Sequence, residues 1–238
     1  MVRTLVDVFL LPPDPPPASL DAAVKAVQAR LQAARAVVVA TTAWRPVAFE
    51  FFAPAGDIRA QELLAAALDE ARKRDLIAHP ATEPPSDALA GMLGEGQVLV
   101  GVARQSPDRA ASLGEALAAA CGRGGRPGAV VAHGWLGRGP GEAGAAFDRS
   151  LLADLEQGAD AVSGTDPEMW LAGRPDADLA HLFLILGAAG PGARAEILGY
   201  DRSSGEGLAV LDIRPAALNG LPLPARRFTI PVKEIPRG

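Results

Sequence analysis

Apolar residues fall along this chain in two distinct periods. Short unbroken runs rich in β-branched residues alternate with longer stretches whose apolar positions recur every three or four residues. The first kind predicts buried strands at 2–11, 36–40, 47–52, 98–102 and 129–132. The second predicts helices carrying the stripes Leu20-Val24-Val27-Leu31, Leu64-Leu68-Ala71, Leu113-Leu117 and Phe147-Leu151-Leu152-Leu155, with another over 178–186 and a short helical stretch near 89–93. Helix starts are marked by Ser19, by Asp57 and by Ser106-Pro107-Asp108, where a capping hydroxyl, a first-turn proline and an acid coincide. Proline clusters at 12–17 and 80–85 and glycine-rich stretches at 122–128 and 134–144 punctuate the pattern. The runs 195–200 and 207–213 read as a hairpin turning at 202–205, and Phe228–Val232 as an edge strand or a partner-packing segment.

Apolar strands alternating with helices predict a single-domain α/β protein. Its central sheet is mixed and largely parallel, flanked by helices on both faces, with a C-terminal β-hairpin. Residues 1–213 form the expected domain and 214–238 a proline-rich tail packing on the domain or on a partner; no internal repeat is visible. The length of 238 residues suits one large domain with a sizeable core.

Composition narrows the classes. The net charge of −5 is spread without a basic run, and aromatics are few, which argues against nucleic-acid binding. No segment reaches the ~18–20 apolar residues of a membrane span. The single cysteine, Cys121, rules out an internal disulfide and argues against a cysteine zinc site, which fits a reducing compartment. The N-terminal run is broken by Pro12 and Pro13 and lacks the pattern of a signal peptide, so a cytoplasmic location is expected.

Few residues carry chemistry. Cys121 ends a helix, where its thiol pKa is not lowered, and reads as a small buried residue. Of the three histidines, His79 reads as a solvated loop residue and His181 as a packed helix residue. His133 ends a strand, where α/β sheets place ligands, and is the candidate catalytic residue. Gly139, Gly141 and Gly144 match the dinucleotide-binding Gly-x-Gly-x-x-Gly pattern, but the preceding strand ends near His133, too early for that motif's tight turn. Tyr200 reads as core.

Several segments together resemble the class III extradiol ring-cleavage dioxygenases, comparable to the beta subunit of protocatechuate 4,5-dioxygenase and the Memo-like proteins. The stretch Ala129-Val-Val-Ala-His-Gly-Trp-Leu-Gly-Arg138 resembles the family's apolar strand followed by Ser-Gly-x-Leu-Ser-His. Phe147-Asp148 resembles its Phe-Asp helix, and Ala172-Gly173-Arg174 with Leu184-Ile-Leu-Gly-Ala188 its Gly-Arg and Leu-Gly-Ala stretches. Ala195–Tyr200 through Gly205-Glu206-Gly207 resembles its final hairpin, and Leu113-Gly-Glu-Ala-Leu117 the helix after its central strand. The likeness is a chain of short matches reaching about Ile213, weakest at Leu11-Pro12-Pro13, which takes the place of His-Pro-Pro.

Members of that family hold iron(II) with two histidines and a carboxylate, and use a further histidine as acid/base. The resemblance puts Leu11 at the first ligand, the stretch Thr41-Thr42-Ala43-Trp44-Arg45-Pro46 at the second, and Arg138 at the acid/base. Glu168, Glu196 and Glu206 are the options for the carboxylate. Leucine, alanine, tryptophan and a permanently charged arginine do not coordinate iron, so neither a metal site nor a cofactor is expected. Trp44, Arg45, His133, Trp135 and Arg138 remain as ligand-pocket residues, suited to a small aromatic or anionic molecule. The resemblance implies a non-catalytic homologue, either the partner subunit of a homologous catalytic chain or a small-molecule-binding protein. The alternatives are an active dioxygenase or other oxidoreductase with a relocated site, and a self-associating structural protein.

Overall fold

The computed structural model describes residues 6–12, 16–42, 49–83, 94–102, 106–123, 127–139, 141–158, 161–162 and 179–215. Strand β1 (Val6–Leu11) leads through a 3₁₀ turn (Ala18–Leu20) into helix α1 (Asp21–Leu31). Strands β2 (Ala36–Thr42) and β3 (Phe49–Phe52) precede α2 (Ile58–Arg72), β4 (Ala78–Pro80), β5 (Gln97–Val102) and α3 (Pro107–Cys121). Strand β6 (Gly128–His133), helices α4 (Gly141–Gln157) and α5 (Leu179–Ala189), and the pair β7 (Arg194–Asp201) and β8 (Leu208–Arg214) complete the order.

Among the described residues, the eight strands form one sheet in the order β4-β3-β5-β2-β6-β1-β8-β7. Its middle, β5-β2-β6-β1, is parallel. Strand β3 runs antiparallel to β5, and β8 antiparallel to β1 and β7. The fold is therefore a single-domain α/β structure with a mixed sheet and a C-terminal strand pair. The parallel strands are Val-rich because both of their faces are covered.

The pleat divides the core in two. Val8, Leu10, Val38, Val98, Val100 and Val130 face α2, α3, α4 and α5, whose buried stripes include Leu64, Leu117, Phe147 and Ile185. Phe9, Leu11, Val37, Ala129 and Val131 face α1, through Val24 and Val27. Each such Val, Leu, Ile or Phe side chain contributes roughly 1.5–3 kcal/mol on burial. On the α1 face, Arg30 lies 4.6 Å from the Phe9 ring centroid and reaches Asp7 and the buried Asp212, both at 2.7 Å.

Two of the expected caps form. The Asp57 side chain accepts from the Ala60 amide at 2.9 Å and from the Gly96 amide at 2.7 Å, and Ser106 from the Arg109 amide at 3.4 Å. Ser19 does not cap α1: the helix begins at Asp21 without a side-chain cap, and the Ser19 hydroxyl donates to Asp201 on the neighbouring hairpin. The stretch around Pro80, expected as loop, supplies edge strand β4, where a proline's missing donor faces no further strand. The helical stretch at 89–93 and the segment 228–232 lie outside the described residues, as does the tail beyond 215.

Candidate functional site

The four parallel strands end on one edge of the sheet, at Leu11, Thr42, Val102 and His133. Because β7 is antiparallel to β8, and β8 to β1, β7 also ends at this edge and β8 begins there. The β7–β8 turn therefore stands over the strand ends, the place where α/β sheets bind ligands.

Leu11 and His133 are directly paired neighbours at this edge. The Leu11 side chain is 4% exposed and packs with Phe9, Leu208, Val210 and Trp135. The His133 ring is half-buried, with Nδ1 3.1 Å from the Pro12 carbonyl oxygen. A carbonyl only accepts, so the proton of this bond sits on Nδ1 and fixes the ring's orientation.

Beyond His133 the chain does not turn at once into a helix. Residues 134–139 run beside the β7–β8 turn and pair with it: the Leu136 amide donates to the Gly207 carbonyl at 2.7 Å, and the Gly207 amide to the Gly137 carbonyl at 2.8 Å. This short ladder aligns Arg138 with Glu206, joined Nε to Oε1 at 2.9 Å. The Arg138 guanidinium also lies 4.5 Å from the Trp135 ring centroid, a cation–π contact worth about 0.5–1 kcal/mol where solvent reaches it.

Beneath the ladder lies a carboxylate that sequence reasoning left unassigned. Asp148, on α4, is fully buried and accepts from the Tyr200 hydroxyl at 2.8 Å and from the Arg202 guanidinium. Arg202 also donates to the Gly139 carbonyl. Burial pushes the Asp148 carboxyl above its ordinary range, against the pull of Tyr200 and Arg202. The Tyr200 phenol is raised as well, first by burial and then by the neighbouring carboxylate. The sequence does hold a signal: residue 148 lies three and four positions before Leu151 and Leu152, so an acid sits on the apolar stripe of α4.

Of the pocket residues expected from sequence, the structure brings His133, Trp135 and Arg138 to one edge, while Trp44 and Arg45 lie outside the described residues. Glu206 joins that group. Glu196 is engaged by Arg214 near the start of β7, and Glu168 lies outside the described residues. Cys121 is buried, donates to the Ala129 carbonyl at 3.5 Å, and has its thiol pushed up to about 12 by burial. His181 is buried within α5, and His79 is exposed on edge strand β4. Tyr200 is half-buried and packs against the core, as expected for it, and its hydroxyl makes a polar contact with Asp148.

The described edge residues do not fit an iron(II) centre. Leu11 offers no donor, Arg138 is a cation held by Glu206, and among the described residues no three His, Cys, Asp or Glu side chains group as metal ligands.

Fold and edge geometry define a single-domain α/β protein in which the 134–139 loop and the β7–β8 turn meet at the strand ends. No family model and no curated protein matches the chain. Among solved structures it is similar to an uncharacterized protein of Escherichia coli K12, JW3007, with a TM-score of 0.62 over 87% of this chain and 99% of that one, at 14% identity. Likeness at that identity establishes a shared fold.

Proposed function

We propose that this protein is a non-catalytic homologue of the class III extradiol dioxygenases that binds a small aromatic or anionic molecule at the strand-end edge. One observation carries the reading: Arg138 is held at that edge against the Trp135 ring, and Trp135 packs on the cluster that contains Leu11, where the resemblance calls for a metal ligand. A guanidinium pairs with carboxylates and phosphates, and an indole stacks on rings. The partner-subunit role belongs to the same reading, with the edge contacting a homologous catalytic chain. A cytoplasmic location is consistent with it, since no helix among the described residues is long and apolar enough to cross a membrane.

The test combines elemental analysis with a catechol turnover assay on protein purified without chelators. Substoichiometric iron and no ring cleavage are expected, with fluorescence-detected binding of an aromatic carboxylate such as benzoate that Arg138→Gln weakens. Stoichiometric iron together with catechol cleavage would overturn the proposal.

A second reading, altered chemistry through His133, is favoured by the Pro12 contact that orients its ring. It requires that His133→Ala abolish any turnover found; unchanged turnover removes His133 from the chemistry.

A further inference from the structure

The buried group under the edge has no part in the reading above, yet its surroundings are built closely around it. We propose that Asp148, Tyr200 and Arg202 form a latch that fixes the β7–β8 turn onto the 134–139 loop, and so positions the Arg138–Glu206 pair from beneath. This stands whether or not the edge binds a ligand.

Three observations converge. The first is the ion pair itself, an Asp148 carboxylate with no exposure and an Arg202 side chain 13% exposed. Removing either partner of such a pair strands the other in a place that water barely reaches. The second is steric. A Cβ on Gly137 would lie 2.6 Å from Asp148 Oδ1, and one on Gly207 would fall against the same carboxylate. A Cβ on Gly144 would meet the Arg202 guanidinium and the Gly139 carbonyl. Three glycines, on the loop, the turn and the start of α4, thus leave room for one acid and one base. The third is register. Gly137 and Gly207 are the paired residues of the ladder, and each is adjacent in sequence to one member of the surface pair, Arg138 or Glu206. Whatever holds the two glycines over Asp148 also sets Arg138 opposite Glu206.

The latch ties three chain segments together through one carboxylate. Asp148 belongs to α4, Tyr200 to the end of β7, and Arg202 to the turn; through Gly139, Arg202 also reaches the end of the loop. The charged groups nearest Asp148 are Arg202 from the turn and Arg149 on its own helix, the latter held by Glu142 at 2.5 Å.

Amide exchange on the full-length protein, read by mass spectrometry, tests the latch. In Arg202→Gln the Leu136 and Gly207 amides should exchange about a hundredfold faster, as expected for losing a buried charge partner. In Tyr200→Phe, a milder change expected to stay folded, the increase should be about fivefold, the value of one hydrogen bond. The amides of α3 and β6 should keep wild-type rates. A second readout separates positioning from general loosening. Modification of Arg138 by phenylglyoxal should accelerate in Arg202→Gln and in Glu206→Gln, and the double variant should react no faster than the faster single one. Unchanged exchange at Leu136 and Gly207 in both variants would overturn the latch. Multiplying effects in the double variant would show that Arg202 does not act through the Arg138–Glu206 pair.

Discussion

Helices α3 and α5 pack with their backbones in contact, which makes Gly114→Ala a severe change for a single methyl group. A Cβ at Gly114 would lie 2.7 Å from the Ala188 nitrogen and 2.8 Å from the Leu184 carbonyl carbon, with the Leu184 oxygen nearer still. The approach is mutual, since a Cβ on Gly187 would lie 2.6 Å from Ala111 backbone atoms. None of these is the end of a flexible side chain. Restoring ordinary contact therefore requires the helices to part by about 1 Å, dragging the buried Leu182, Leu184 and Ile185 with them. Overpacking of this kind costs about 1–3 kcal/mol, and a clash with backbone belongs at the upper end. Alanine's better helix propensity offsets about 1 kcal/mol. The net expectation is a loss of about 2 kcal/mol, which in a chain of this size lowers Tm by roughly 4–8 °C. Calorimetry and urea unfolding of the variant against wild type would measure it. A Gly114→Ala protein that melts at or above the wild-type temperature would refute the reasoning, because propensity alone predicts that sign.

Two further perturbations have signs fixed by the structure. Asp69 and Glu70 are lowered to about 2, each chiefly by the Arg123 hydrogen bond. A depressed folded pKa stabilises above the ordinary carboxylate value and is lost as pH falls toward the folded one. Wild-type urea midpoints should therefore drop between about pH 4 and pH 2, and Arg123→Gln should flatten that drop; an equal slope in both proteins removes Arg123 as its cause. Asp212 is 3% exposed and accepts from Arg30 at 2.7 Å and from Arg214 at 3.3 Å. Its replacement by Ala should cost about 2 kcal/mol in denaturant unfolding, below the usual loss for a broken buried pair because Arg30 keeps Asp7 and partial hydration; a loss under about 0.5 kcal/mol would mean that Asp212 is not a working counter-ion.

What was legible in the sequence was what local chemistry decides. The caps at Asp57 and Ser106 bond to amides three residues ahead, and the Val-rich runs declare buried strands before any partner is known. Ser19 carried the same cap signal and failed, because Asp201, 182 residues away, competes for its hydroxyl. Strand β4 was hidden by its proline and by its length of three residues. At the site, the adjacency of Leu11 and His133 follows from two parallel strands ending together, which the strand pattern implies. The Arg138–Glu206 and Arg202–Asp148 pairs span 68 and 54 residues and depend on how the turn lies over the loop, so no spacing in the sequence announces them.

The glycine pattern at 139, 141 and 144 shows how one local signal serves opposite chemistries. In a dinucleotide site such glycines let an anion approach backbone amides at a helix N-terminus. Here the space that Gly144 leaves open is entered by the Arg202 guanidinium, which donates to the Gly139 carbonyl. The room is filled by a cation of the chain itself, and the backbone group it meets is an acceptor. A pyrophosphate would have to displace Arg202 from that carbonyl and from Asp148, leaving a buried carboxylate without its counter-ion beside the incoming anion. The seven residues between the end of β6 and Gly141 set this outcome, since they give the chain length to run beside the hairpin before α4 begins. The spacing that disqualifies the loop as a phosphate cradle is therefore the spacing that lets it pair with the β7–β8 turn.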